Sequence, residues 1–374
     1  MKKTKFLQTR AARTTLIVLA ALLALTVLLS GCSGNASEQT AQDAAEKYGS
    51  TTMKLYIPGE YLGKNVISNF EKQFGVHVII EYFDSNEMMY TKLQAGDAYD
   101  VLVPSDYMIE RLIEMDMLQP LDLEKIPNKE LLAEQVKNLP FDPDNTYSIP
   151  YFWGSVGLVY NENNVDPAEV EEQGWSILKN PKYAGHIFVY DSERDAFLMP
   201  FKALGYSANT SDPAEIEEAY QWLLELNDTM EPAYVTDEVI DGMISGNKDI
   251  AVVYSGDAAV ILDENEEMRF SMPKEGTNIW FDSMVIPANA ENPALAHEFI
   301  NYMLTYDAAY DNAETVGYSS PNAEVLDLMS TSEDLYGENE AYLPRSGYAL
   351  DEVYSDNPIL KKMISELWIK VKAS

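Results

Sequence analysis

The chain has 374 residues, with 26 basic against 61 acidic side chains and a formal charge of −35. Such a charge repels nucleic acid and anionic lipid, and it draws in cations over about a Debye length, roughly 8 Å at physiological salt. Nearly half the residues are hydrophobic, which excludes a disordered chain, and the single Cys excludes an internal disulfide.

The N-terminus carries Lys2, Lys3, Lys5, Arg10 and Arg13, then the apolar run Leu16 to Leu29, then Leu29-Ser30-Gly31-Cys32. A basic head, an apolar stretch shorter than a membrane span and a small-residue end predict a secretory signal peptide over 1–31. The last four residues resemble a bacterial lipobox, which implies that Cys32 is lipidated and anchors the chain outside the cytoplasmic membrane. Loss of the signal's five basic residues leaves 21 basic against 61 acidic, or −40. Residues 32–51 then read as the lipidated Cys and a flexible tether, because Ser33 to Ser50 is rich in Ala, Ser, Gln, Glu and Gly.

Met53 to Ile57 alternates as a strand and is closed by the turn Pro58-Gly59-Glu60-Tyr61. Val66 to Phe74 has helical spacing and ends at Gly75; Val76 to Phe83 is a second strand. Asp84 or Ser85 caps a helix over Asn86 to Gln94, with Glu87 placed for a capping box with Asp84. Tyr99 to Val103 is a strand leading into Pro104-Ser105, and Tyr107 to Met115 is helical. Strand–helix–strand–helix order at these lengths predicts an α/β lobe around a parallel sheet. Ligands of such sheets bind outside the carboxyl ends of the strands, which directs attention to Tyr61 and to Ser105–Tyr107.

Val156 to Tyr160 is a strand crossing into a second lobe, where the alternation repeats. His186 to Tyr190 is a strand ending at the loop Asp191–Asp195, and Asp212-Pro213 opens a helix. Ile250 to Tyr254 is a strand ending at Ser255-Gly256-Asp257. Asn278 to Pro287 recrosses; within it Trp280 and Asp282 share one face while Phe281 faces the other. A carboxylate beside an aromatic face suits a desolvated organic cation. Asn292-Pro293 opens another helix, and Pro358 to Lys372 is the last. His77, His186 and His297 are scattered without metal-ligand spacing, and no phosphate-binding Gly-rich loop occurs, so neither metal nor cofactor is expected.

Several segments together carry a resemblance: Ser85-Asn86-Glu87-Met88-Met89-Tyr90, Tyr99-Asp100-Val101-Leu102-Val103-Pro104-Ser105, Tyr147 to Gly154, Leu204-Gly205-Tyr206-Ser207, Pro273 to Asp282, and Glu314 to Tyr318. Over nearly the whole mature length the chain resembles the spermidine/putrescine-binding proteins of polyamine ABC transporters. The resemblance implies a two-lobed periplasmic-binding-protein-like fold, each lobe a sheet flanked by helices. Lobe 1 would be 52–155 plus 281–326, and lobe 2 would be 156–280 plus 327–374. It also implies a monomer that delivers a polyamine, held in the cleft, to membrane permease subunits without catalysis. Carried onto this chain, the ligand contacts are Tyr61, Ser105, Tyr107, Asp195, Tyr254, Trp280, Asp282 and Tyr318, with Asp195 and Asp282 as ammonium partners. Two positions depart from the family pattern: Pro58 stands where an aromatic is usual, and Ser192 where some spermidine binders carry a second acid. A ferric-ion binder, or a hydrolase using paired carboxylates, is the alternative.

Overall fold

The computed structural model describes residues 40–374. The expected signal peptide and Cys32 lie outside the described residues. The first element, α1 (40–48), departs from the expected tether. Ala44 is buried, the Tyr48 hydroxyl donates to Glu298 Oε2 at 2.9 Å, and the Thr40 backbone lies against Gly75. A short polar segment folds here because one small apolar stripe has a surface to rest on, a tertiary effect that composition conceals.

The first sheet is built from β1 (Thr52–Pro58), β2 (His77–Phe83) and β3 (Val101–Leu102), all parallel, with β9 (Ile279–Val285) antiparallel to β3. The intervening helices are α2 (Val66–Phe74), α3 (Asn86–Gln94) and α4 (Asp106–Glu114). Ser85, not Asp84, caps α3: its Oγ accepts from Met88 N. The capping box expected of Glu87 does not form, and its carboxylate instead meets Lys361 and the Tyr107 hydroxyl.

The strand expected over Val156–Tyr160 is the distal half of a longer one, β4 (Ser148–Asn161), every residue of which is buried. Its first half, Ser148 to Ser155, pairs with β9. From Val156 it pairs with β7 (Ile250–Tyr254) and, from Leu158, with β8 (Met268–Ser271). Beyond β7 lie β5 (Ile187–Tyr190) and β6 (Ala233–Val235), both parallel. The strand order β2-β1-β3-β9-β4-β7-β5-β6 therefore joins two parallel sets through the antiparallel pair β4 and β9.

Around the second set pack α5 (Pro167–Gln173), α6 (Glu193–Ala203), α7 (Pro213–Met230), α8 (Glu238–Ile244) and α9 (Ser255–Glu264). The expected loop 191–195 is corrected in part: α6 begins at Glu193, so Asp195 stands in its first turn. The chain closes with α10 (Pro293–Met303), α11 (Tyr306–Val316), α12 (Ala323–Thr331) and α13 (Pro358–Lys372). The last buries Leu360, Ile364, Leu367, Trp368 and Val371 as one stripe against α6 and α7. No helix among the described residues is long and apolar enough to cross a membrane.

Candidate functional site

Four strand ends converge on the β4–β9 pair. Pro58 ending β1 leads to Tyr61; Leu102 ending β3 leads to Ser105 and Tyr107. Tyr190 ends β5 just before Asp195, and Tyr254 ends β7 just before Asp257. The strand β9 runs past all of them, with Trp280 and Asp282 on the face they share and Phe281 turned back to stack on Trp153 at 5.9 Å. Gly154 lies opposite Trp280 on β4; a Cβ there would stand 2.4 Å from the indole, so only glycine leaves the ring its place.

The rings form a continuous row. Tyr61 meets Tyr318 at 6.0 Å, Tyr318 meets Trp280 at 4.9 Å, Trp280 meets Tyr254 at 6.1 Å, and Tyr254 meets Tyr190 at 4.7 Å, all edge to face. At one end the Tyr61 hydroxyl donates to Asp282 Oδ2 at 2.6 Å. At the other the Tyr254 hydroxyl donates to Asp195 Oδ2 at 2.5 Å, and Tyr354 reaches Asp195 Oδ1 at 3.3 Å. Both carboxylates are over nine-tenths buried, Asp282 at 8 % exposure and Asp195 at 5 %.

Burial pushes the Asp282 carboxyl up to about 6, against the opposing hydrogen bonds from Tyr61 and Ser105. The Ser105 hydroxyl is free to donate because its oxygen already accepts from Asn86 Nδ2 at 3.0 Å. Directly behind Asp282 sits Asp106, fully buried and pushed by desolvation to about 8, although the Tyr107 and Phe281 N–H groups both donate to it. Beside Tyr318 stands Asp257, which accepts from that hydroxyl at 3.4 Å; crowding by protein raises its carboxyl to about 7. Burial likewise holds the hydroxyls of Tyr61, Tyr254, Tyr318 and Tyr354 far above the ordinary phenol range, so all remain neutral donors.

The structure thus brings Tyr61, Ser105, Asp195, Tyr254, Trp280, Asp282 and Tyr318 together. It places Tyr107 to one side, its ring covered by the Arg194 guanidinium at 4.1 Å and its hydroxyl 3.4 Å from Glu87. Arg194 also lies 4.9 Å from the Tyr354 ring, so it bridges the α4 and C-terminal sides of the cleft. Sequence reasoning missed Asn86, Phe152, Tyr190, Asp257 and Tyr354. Tyr190 and Asp257 follow from the strand-end rule that found Tyr254. Phe152 packs 5.3 Å from Tyr61, and only the tertiary fold brings Tyr354 to Asp195. Phe152 and Tyr151 wall the Tyr61 side, where Pro58 offers no ring.

Comparison with known proteins decides the family. Residues 65–341 match the model of the bacterial extracellular solute-binding proteins. The spermidine/putrescine-binding periplasmic protein of Escherichia coli K12 is 37% identical over 289 residues, 77% of this chain and 82% of that protein. This chain belongs to that solute-binding family. Its counterpart in Salmonella typhimurium is 33% identical over 332 residues, 88% of this chain and 94% of that protein. Among solved structures, the spermidine/putrescine ABC transporter substrate-binding protein PotD of Streptococcus pneumoniae superposes with a TM-score of 0.75 at 38% identity, covering 87% of this chain and 99% of that one. The two-lobed α/β architecture and an extracytoplasmic, ABC-transport setting follow from membership.

Proposed function

We propose that this chain captures a linear polyamine, spermidine or putrescine, in the cleft and delivers it to an ABC permease. The observation that carries this reading is the row of rings with a buried carboxylate at each end, Asp282 beside Tyr61 and Asp195 beside Tyr254. The names of the relatives supply the ligand class. A polyamine is a methylene chain with an ammonium at each end. Each buried CH₂ gains about 0.8 kcal/mol and a desolvated cation–π contact up to about 2 kcal/mol. Stripping water from an ammonium costs several kcal/mol, so the pocket must offer a carboxylate at each end.

The lobes are proposed as 52–155 with 281–326 and 156–280 with 327–374; the change of β4's partner at Val156 supports a hinge there. Contributions from both lobes favour the closed form when the ligand is present, because only that form places both acids on it. Lipidation at Cys32, a monomeric state and the absence of catalysis belong to the same proposal. A ferric site would need tyrosinates and acids converging on one point, whereas here the Tyr–Asp pairs are kept apart by the Tyr318 and Trp280 rings. Calorimetry of the lipid-free protein against putrescine, spermidine, spermine and a non-amine control tests the reading. Saturable binding of an amine without turnover is expected; no binding of any amine overturns it.

A further inference from the structure

On the lobe boundaries proposed above, α3 and α4 belong to lobe 1, while α13 and the stretch that leads into it belong to lobe 2. Charged side chains join them. The Arg111 guanidinium pairs with Asp356, its Nε donating to Oδ1 at 3.1 Å, and the Asp356 N–H donates to Glu110 Oε2 at 2.6 Å. Further along, Lys361 on α13 pairs with Glu87 on α3. Lobe 2 does not need these pairs to hold its own C-terminal segment. The apolar stripe of α13 rests on α6 and α7, and Asn357 caps the helix by accepting from Leu360 N at 3.0 Å. The Ser355 N–H donates to Asn209 Oδ1 at 2.9 Å, and the Asn357 amide donates to Asn209 O at 2.9 Å. Asp356 and Lys361 therefore each offer a charge to the other lobe from a backbone already anchored. Without Arg111 and Lys361 the facing groups would be Glu87, Glu110 and Asp356, three acids that repel. The two cations turn a repelling rim into a gripping one.

We infer that the pairs Arg111–Asp356 and Glu87–Lys361 form a latch, made only when the lobes are shut, that sets how long the ligand stays and not which ligand is chosen. This rests on the two-lobed polyamine reading above and adds positioning residues to it. When the lobes part, each pair separates and its ions return to water, so the attraction is gained only on closing. The Arg111 and Asp356 side chains are 15 % and 4 % exposed, which shields that pair from salt; Lys361 and Glu87, at 21 % and 45 %, form the wetter and weaker pair. Contacts made after the encounter act on escape and not on entry, so the latch slows release and leaves association unchanged. Because it shifts the population of the closed form, it multiplies the affinity for every amine by one factor.

The test measures release of putrescine and spermidine by stopped-flow tryptophan fluorescence, and their affinities by calorimetry. It compares the wild-type chain with Glu87→Gln, Lys361→Met, the double variant of these two, and Arg111→Met. Glu87→Gln and Lys361→Met should each release both amines roughly two- to fivefold faster, the size of a partly exposed ion pair, with association unchanged. Arg111→Met, which breaks the more enclosed pair, should speed release roughly tenfold or more. The double variant should lose no more than the larger single, because both remove the same pair. The ligand-free Tm of the Glu87 and Lys361 variants should match wild type, since the open form does not make the contact. Unchanged release, additive losses, a factor that differs between the two amines, or a ligand-free Tm lowered in step with affinity overturns the latch and leaves the polyamine reading intact. Wild type that binds neither amine overturns the reading beneath it.

Discussion

The two ends of the ring row use the same chemistry, a tyrosine hydroxyl on an aspartate, yet their charge surroundings differ. At the Asp282 end the donors are neutral, Tyr61 and Ser105, and the buried group behind is another acid, Asp106, raised to about 8. At the Asp195 end two tyrosines donate, and a guanidinium is already at hand: Arg194 lies on the Tyr354 ring whose hydroxyl meets Asp195. One end has a guanidinium stacked on a donor tyrosine and the other does not. An incoming ammonium therefore gains most at Asp282, whose donors carry no stacked guanidinium.

The sharpest way to break this comparison is to neutralise each end in turn. Removing one partner of a desolvated charge pair costs about 2–5 kcal/mol. Asp282→Asn should weaken putrescine and spermidine roughly a hundredfold or more. Asp195→Asn should cost roughly tenfold, since the Arg194 guanidinium on the Tyr354 ring makes that end less attractive to a second cation. Calorimetry at fixed salt reads both. Equal losses would mean that Arg194 does not serve the Asp195 end, and a larger loss at Asp195 would reverse the asymmetry.

The pH response sharpens the same point. Asp282, Asp257 and Asp106 are raised to about 6, 7 and 8, chiefly by burial, whereas carboxylates of the unfolded chain keep ordinary values near 4. Between about pH 4 and 8 the ligand-free fold thus holds more protons than the unfolded chain, and by linkage its stability falls as pH rises through that window. An ammonium favours the ionised acids, so the increase in Tm produced by spermidine should grow from pH 5 to pH 8. Thermal unfolding with and without ligand measures it. Asp282→Asn should flatten the lower part of that rise. A ligand-induced shift that shrinks towards pH 8 would contradict the assigned acids.

Much of this was legible in the chain. The Trp280–Asp282 alternation predicted which side chains share a face, because a strand's period of two leaves no other choice. Pro58, Ser105 and Tyr254 were found as strand ends, since apolar runs closed by turn residues mark parallel strands. What stayed hidden depends on contacts between distant segments. Arg194 reads in sequence as a neighbour of Asp195 and acts in the structure as a cap over Tyr107. Glu87 looks like a capping acid and is claimed by Lys361. Tyr354 lies outside any helix or strand, and its role exists only because the C-terminal segment packs against α6. Residues 40–48 look like a linker until the Glu298 and Gly75 surfaces are supplied.

The finest test separates hydroxyl from ring at the Asp282 end. Tyr61→Phe keeps the wall against Phe152 and Tyr318 but removes the 2.6 Å donor to Asp282. That hydrogen bond favours the ionised carboxylate, so without it the carboxyl rises further and less of it is ionised at neutral pH. Affinity at pH 7 should fall roughly fivefold, about 1 kcal/mol. The deficit should shrink by pH 8.5, where Asp282 is ionised with or without the hydroxyl. Trp280→Leu, which removes a ring and no hydrogen bond to the acid, should instead weaken binding by a factor that does not change with pH. If the Tyr61→Phe deficit is equally flat from pH 6 to 8.5, the hydroxyl tunes nothing. The Asp282 carboxylate would then hold the ammonium without help from the Tyr61 hydroxyl.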